Sequence, residues 1–233
     1  MSVKFIFSLV INIILIFIII VFISKKGGLE YLKDKIFQRK KNMNTLFREN
    51  KQSIFEVMPN NENSIVFLGN SLTAFCDWSE LLENSKIVNR GISGDLLDDV
   101  IDRVEPILNL KPKKIFLMIG VNDLAKSRKV RQILVDYEKL LNIIKDISPE
   151  SKIYLQSILP TKNKEKMKNK DIIFLNEGIY NLSKKYNTTY INIFDAFKTN
   201  SNELNMIYSF DGLHLNGKGY LLWKKNIENY VKN

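Results

Sequence analysis

From about residue 63 onward the chain alternates two hydrophobic patterns, and this alternation restricts its fold more than any other feature. Short apolar runs rich in β-branched residues, Ser64–Leu68, Lys86–Asn89, Lys114–Ile119, Lys152–Ser157 and Thr189–Ile193, have the length and continuity of buried strands. Between them lie stretches with helical spacing: Leu72–Leu82, Leu96–Leu108, Val130–Ile147, Asp171–Tyr186 and Lys218–Val231. In the first of these, Leu72, Phe75, Trp78 and Leu82 share one face. Alternation of this kind predicts an α/β fold, a flavodoxin-like three-layer sandwich with a parallel sheet of about five strands. Functional groups in such sheets gather beyond the carboxyl ends of the strands.

The segment ahead of the sheet is different in kind. Phe5–Ile23 carries no charge, and Asn12 is its only strongly polar residue. Its length is close to the roughly 20 residues that cross a bilayer as a helix. Ser24-Lys25-Lys26 follows, without the small-residue pattern of a cleaved signal, so a retained anchor is expected. The organisation read from the sequence is a transmembrane anchor over residues 1–24, a basic juxtamembrane helix and linker over 25–62, and a globular domain over 63–233. Lys25, Lys26, Lys33, Lys35, Arg39, Lys40 and Lys41 concentrate the basic excess beside the span, where anionic lipid headgroups would attract it. The formal net charge of +10 also suits nucleic acid, but no recognised nucleic-acid motif accompanies it, and no nucleic-acid partner is expected. A single cysteine, Cys76, excludes an intrachain disulfide and multi-cysteine zinc motifs. These features together place the protein at the cell membrane as a single-pass chain. The basic flank favours a cytoplasmic domain, a role on surface glycans the opposite side, and both remain open.

Four polar clusters fall just after expected strands. Gly69-Asn70-Ser71-Leu72-Thr73 would present a hydroxyl at the positively polarised start of a helix, although serine there also serves as an ordinary cap. Asn89-Arg90-Gly91-Ile92-Ser93-Gly94-Asp95 offers two glycines that permit close backbone approach. Gly120-Val121-Asn122-Asp123 supplies a neutral donor suited to a developing oxyanion. Asp211-Gly212-Leu213-His214 contains the only histidine of the chain. A serine hydroxyl is a poor nucleophile until a neighbouring base takes its proton, and a carboxylate fixes the orientation of that base. Asp211, three residues before His214, is close enough in a tight turn to do so.

Taken together, these clusters resemble the SGNH, or GDSL-like, hydrolase family, whose four blocks supply Ser, Gly, Asn and His in this chain order. Gly69-Asn70-Ser71-Leu72 is similar to the GDSL block with Asn70 in place of Asp. Gly91 lies in a match to the glycine block, Asn122 in GxND, and Asp211 and His214 in DxxH. Gln156-Ser157-Ile158-Leu159-Pro160-Thr161 is similar to a segment of the platelet-activating-factor acetylhydrolase-like branch. The resemblance implies an SGNH hydrolase domain with Ser71 as nucleophile, His214 as base and Asp211 as its orienting acid. It also implies an oxyanion hole made by the backbone N–H groups of Ser71 and Gly91 and the amide of Asn122, with no metal or cofactor. The implied reaction is hydrolysis of a small acyl ester, often acetyl, on an acetylated glycan or a lipid. A lysophospholipase or thioesterase is the nearest alternative, and a catalytically dead domain used as a membrane-bound binding module is another. A flavin-binding sheet protein shares the architecture, but it has no use for the unique histidine and needs a phosphate-cradling loop that is not seen. The segment Thr161–Lys170 is expected to be a solvated charged loop.

Overall fold

The structure, a computed structural model, describes residues 3–28, 43–58 and 63–232. The chain divides into two compact units, Met1–Leu46 and Phe47–Asn233. The first unit contains helix α1 (Val3–Lys25). Over Lys4–Lys25 it is long and apolar enough to cross a membrane, and its apolar side chains are exposed along its length. Much of the expected basic flank and the end of the expected linker, at 29–42 and 59–62, lie outside the described residues. Helix α2 (Met43–Val57) follows, and its residues from Phe47 on belong to the second unit.

In the second unit five strands form one parallel sheet: β1 (Ile65–Gly69), β2 (Ile87–Gly91), β3 (Lys114–Met118), β4 (Lys152–Gln156) and β5 (Thr189–Ile191). Their order is β2-β1-β3-β4-β5, the flavodoxin-like arrangement expected from the alternating pattern. The helices between them are α3 (Ser71–Ala74), α4 (Trp78–Leu81), α5 (Leu97–Leu108), α6 (Val121–Ala125), α7 (Val130–Ile147), α8 (Asn169–Lys185), α9 (Phe194–Phe197) and α10 (Gly217–Lys232). The single helix expected over Leu72–Leu82 is two short ones. The Trp78 indole and the Asn89 carboxamide donate to the carbonyls of Thr73 and Cys76, at 2.8–3.0 Å, which would otherwise continue the helix. Leu72, Trp78 and Leu82 are buried as their spacing predicted, whereas Phe75 is 56% exposed.

Alternate residues of each strand feed two cores, as the two-residue period of a strand requires. Val66, Leu68, Ile115, Leu117, Ile153 and Leu155 pack with α5, α7 and α8, through residues such as Val104, Tyr137, Leu141 and Leu175. Phe67, Phe116 and Tyr154 face the other side with Trp78, Trp223 and Ile227. Register places those three rings side by side, with centroids 4.9 Å apart for Phe67–Phe116 and 4.6 Å for Phe116–Tyr154. Trp78 extends the row, 4.6 Å from Phe67, and Trp223 meets Trp78 edge-on at 4.9 Å. At the amino end of β3 the buried Lys114 ammonium donates to the carbonyls of Tyr230 and Val231, at 2.8 and 2.9 Å. It thereby satisfies the last turn of α10, where the helix dipole favours a cation. Cys76 is buried, and burial together with the nearby Asp77 charge pushes its thiol up to about 12, so it is a packing residue.

Phe116 is fully buried at the centre of the aromatic row, so Phe116→Ala should lower the unfolding free energy by about 3–5 kcal/mol. Denaturant unfolding of the two proteins measures this. A loss below about 1 kcal/mol would show that the row closes over the gap.

Candidate active site

The first three polar clusters lie at the carboxyl ends of β1, β2 and β3, whereas the fourth does not directly follow a strand: Asp211–His214 lies in the loop before α10, well after β5 and beyond α9. β1 ends at Gly69, where an added Cβ would stand 2.4 Å from both the Met118 carbonyl and the Thr73 hydroxyl. No larger residue allows the chain to turn there. Asn70 caps α3, its side-chain oxygen accepting from the Leu72 amide at 3.1 Å. An amide oxygen performs this capping as a carboxylate would, without a charge. Ser71 then opens the helix, largely buried, on a very short strand-to-helix turn.

His214 approaches from the loop before α10. Ser71 Oγ lies 3.1 Å from His214 Nε2, and His214 Nδ1 lies 2.8 Å from Asp211 Oδ2. The other oxygen of Asp211 accepts from the backbone N–H groups of Leu213 and His214, at 2.9 and 2.8 Å. Burial alone would raise the Asp211 carboxyl, but the hydrogen bonds from the His214 ring and those two amides outweigh it. They hold the group well below the usual carboxylate range, so it is ionised at neutral pH. The turn itself depends on Gly212, which has φ +78° and would place a Cβ 2.3 Å from the Lys162 carbonyl. The Gly212 carbonyl accepts from the Lys162 amide at 2.8 Å, and its N–H donates to Ser209 Oγ at 2.9 Å. Lys162 belongs to the segment expected to be only a solvated loop. That segment also carries the pair Thr161–Asn169, joined by two hydrogen bonds of 2.8 Å, and therefore has a structural part in shaping the site.

The other two expected residues, Gly91 and Asn122, lie at the end of β2 and just after β3. Gly91 is walled by α3, since a Cβ there would come within 2.5 Å of the Ala74 nitrogen. Its N–H is committed to Asn89 Oδ1 at 2.8 Å, so it is not free to meet a substrate. Gly94, in the same loop, is exposed, takes φ +85°, and makes no hydrogen bond through its amide among the described residues. Sequence reasoning passed over Gly94, although the two-glycine spacing of Gly91-Ile92-Ser93-Gly94 is itself visible in the sequence. Asn122 lies in the first turn of α6, and its Nδ2 donates to the Asp95 carbonyl at 2.9 Å. One amide hydrogen is thereby fixed and the second is left for a ligand. The structure thus joins Ser71, His214 and Asp211 directly, and joins Asn122 to the glycine loop.

Ionic contacts brace that loop. Asp95 is fully buried and accepts from Arg103 Nε at 2.8 Å and Arg48 Nε at 3.0 Å. Arg103 also donates to the Gly69 and Arg90 carbonyls, at 3.3 and 2.8 Å. Asp123, next to Asn122, accepts from the Leu97 amide at 3.1 Å and from Arg128 at 2.6 Å. Burial pushes its carboxyl up to about 6 in spite of the hydrogen bond and charge of Arg128. A ring lies beside the histidine: Phe75, itself exposed, is 5.3 Å from the His214 ring.

Comparisons with known proteins show the family. Residues 64–222 match the family described as GDSL-like Lipase/Acylhydrolase. A Streptococcus pneumoniae structure described as a putative platelet activating factor is 27% identical, with a TM-score of 0.69 over 87% of this chain and 97% of that one. A GDSL-like lipase from Bacteroides thetaiotaomicron is 22% identical and shares the fold, with a TM-score of 0.70 over 79% and 97%. The N-acylneuraminate cytidylyltransferase of Escherichia coli is 28% identical over 175 residues, 73% of this chain but 41% of that protein. The chain thus spans about two fifths of the length of the curated relatives it matches.

Gly212→Ala should cost more than the roughly 1–2 kcal/mol of placing a single L-residue in the left-handed region, because the Lys162 carbonyl blocks the new methyl. Denaturant unfolding reads the cost. A smaller loss would mean that the Lys162 loop moves aside freely.

Proposed function

The chain belongs to the GDSL-like lipase/acylhydrolase family, and on that footing we propose that it is a serine esterase working through Ser71, His214 and Asp211. One observation carries this reading: the continuous chain of contacts from Ser71 Oγ to His214 Nε2 at 3.1 Å and from His214 Nδ1 to Asp211 Oδ2 at 2.8 Å. In the mechanism, His214 Nε2 takes the hydroxyl proton as Ser71 Oγ attacks the acyl carbon. The carbonyl electrons move onto oxygen, which is held by the N–H groups of Ser71 and Gly94 and by the free amide hydrogen of Asn122. Gly94 takes the place of Gly91 in this role because the Gly91 N–H already has a partner. The intermediate collapses, the alcohol leaves with the proton from His214, and Ser71 is left acylated. Water, deprotonated by His214, attacks the acyl carbon and releases the acid.

A short acyl group, acetyl above all, on an acetylated glycan is the preferred substrate class. The exposed Phe75 ring beside His214 keeps a lysophospholipase or thioesterase as the second reading, since an apolar ring there suits a longer acyl chain. Chromogenic acetyl, butyryl and longer esters, lysophospholipids and acetylated sugars separate the two. O-acetylated N-acylneuraminates belong in that panel because curated relatives are named for that sugar. Helix α1 is proposed as a single-pass anchor that holds the domain at the cell membrane.

Ser71→Ala and His214→Ala should each abolish ester hydrolysis, and the double variant should be no worse than either, because the two act as one unit. A fluorophosphonate probe should label the wild-type protein and not Ser71→Ala. An unlabelled wild type would leave a binding module rather than an enzyme. The anchor is checked separately: full-length protein should pellet with membranes through a high-salt wash, whereas a chain starting near Lys26 should stay in solution and remain active. Release of the full-length protein by salt alone would defeat the spanning reading.

A further inference from the structure

Helix α2 lies outside the region matched by the family, yet one of its side chains reaches the catalytic loop. Arg48 Nε lies 3.0 Å from Asp95 Oδ1, and Arg48 Nη1 lies 3.0 Å from Asp99 Oδ1. These carboxylates hold two different pieces of the site. Asp95 closes the glycine loop, and its carbonyl accepts the Asn122 amide at 2.9 Å. Asp99 Oδ2 accepts from the Leu96 amide at 2.8 Å, capping α5 where that helix leaves the loop. One guanidinium therefore clamps the glycine loop to the start of the next helix. Only its planar fork, with donors pointing in two fixed directions, spans both acids. Arg103 grips the other oxygen of Asp95 from the buried side, so Asp95 is held from two directions. A second contact fixes α2 at its far end, where the buried Arg90 guanidinium stacks on the Phe55 ring at 4.7 Å.

We propose that Arg48 is a positioning residue for the oxyanion hole: it sets the Asp95 carbonyl, and through it the orientation of the Asn122 amide. The inference rests on the serine-esterase reading above. It makes the linker helix that follows the apolar span in sequence part of the catalytic apparatus, not merely a connector. Arg48 is partly exposed and touches neither Ser71 nor His214 among the described contacts, so its influence on turnover runs through Asp95. Such a residue alters kcat and leaves KM nearly unchanged, because the donor it orients acts on charge that appears only in the transition state.

The test is a double-mutant cycle in the full-length protein on an activated acetyl ester. Asn122→Ala alone should lower kcat by roughly 10²–10³-fold. Arg48→Ala alone should lower it about fivefold, with KM changed by less than about twofold, a size common for residues that act through an intermediary. In the Asn122→Ala background the Arg48→Ala penalty should largely disappear. Arg48→Lys, which keeps the charge but loses the fork, should recover only part of kcat, and it carries the test if the alanine variant fails to fold. An unchanged kcat in both Arg48 variants, an effect confined to KM, or an equal penalty in both backgrounds would overturn the proposal. Ser71→Ala runs alongside. Hydrolysis surviving in that variant would remove the serine-esterase reading itself, whereas loss of hydrolysis with an inert Arg48 removes only this inference.

Discussion

The buried pair Arg103–Asp95 holds the catalytic end of the sheet together. A single guanidinium reaches the carbonyl of Gly69 at the end of β1, the carbonyl of Arg90 in β2 and the carboxylate of Asp95 in the loop beyond. Parallel strands end in loops that have no ladder partners, and something must tie those loops to one another. Burying the pair costs solvation on both sides: burial raises the Asp95 carboxyl and lowers the Arg103 guanidinium despite their mutual attraction. What that cost secures is geometry. The Ser71 turn, the glycine loop and the Asn122 turn are referenced to the same two side chains, which gives them one buried point of reference.

Helix α3, which carries Ser71, is restrained in the same manner from its other sides. It is only one turn long and cannot hold itself by its own hydrogen bonds. Its carbonyls are instead taken by the Asn89 carboxamide, the Trp78 indole and the Tyr220 hydroxyl, which arrive from β2, α4 and α10. Beneath it the aromatic row from Trp78 to Tyr154 provides a stiff floor. Ser71 is thus fixed by side chains spread across most of the domain.

Much of this could be read in the sequence, for definite reasons. β1, β3 and most of β4 were legible as apolar runs between turns, the mark of strands buried on both faces, and the edge strands β2 and β5 by their shorter β-branched runs. Ser71, Asp211 and His214 were legible because a unique histidine beside an acid has few uses, and the structure brings all three into contact. The break between α3 and α4 was not legible. It arises from the side chain of Asn89, on a different strand, competing for the helix's carbonyls, and periodicity carries no trace of a distant competitor. The same limit explains Gly91 and Gly94. Both glycines were visible, but which N–H remains free depends on where the Asn89 oxygen lands. The contribution of Lys162 to the Asp211–His214 turn was hidden because a charged loop reads as solvated whether or not its backbone has a partner.

The latch between Lys114 and the last turn of α10 ties the fold to the order of synthesis. Lys114 begins the central strand, yet the carbonyls that receive its buried ammonium belong to residues 230 and 231, more than a hundred positions later. Until those residues leave the ribosome, the central strand would have to bury an unpaired charge, which is strongly unfavourable. Trp223 binds Gln156 across 67 positions, and His214 reaches back to Ser71 across 143. A nascent chain can therefore form α1 well before it can close its sheet. The long-range ties come last, a sequence of events imposed by the wiring of the fold itself.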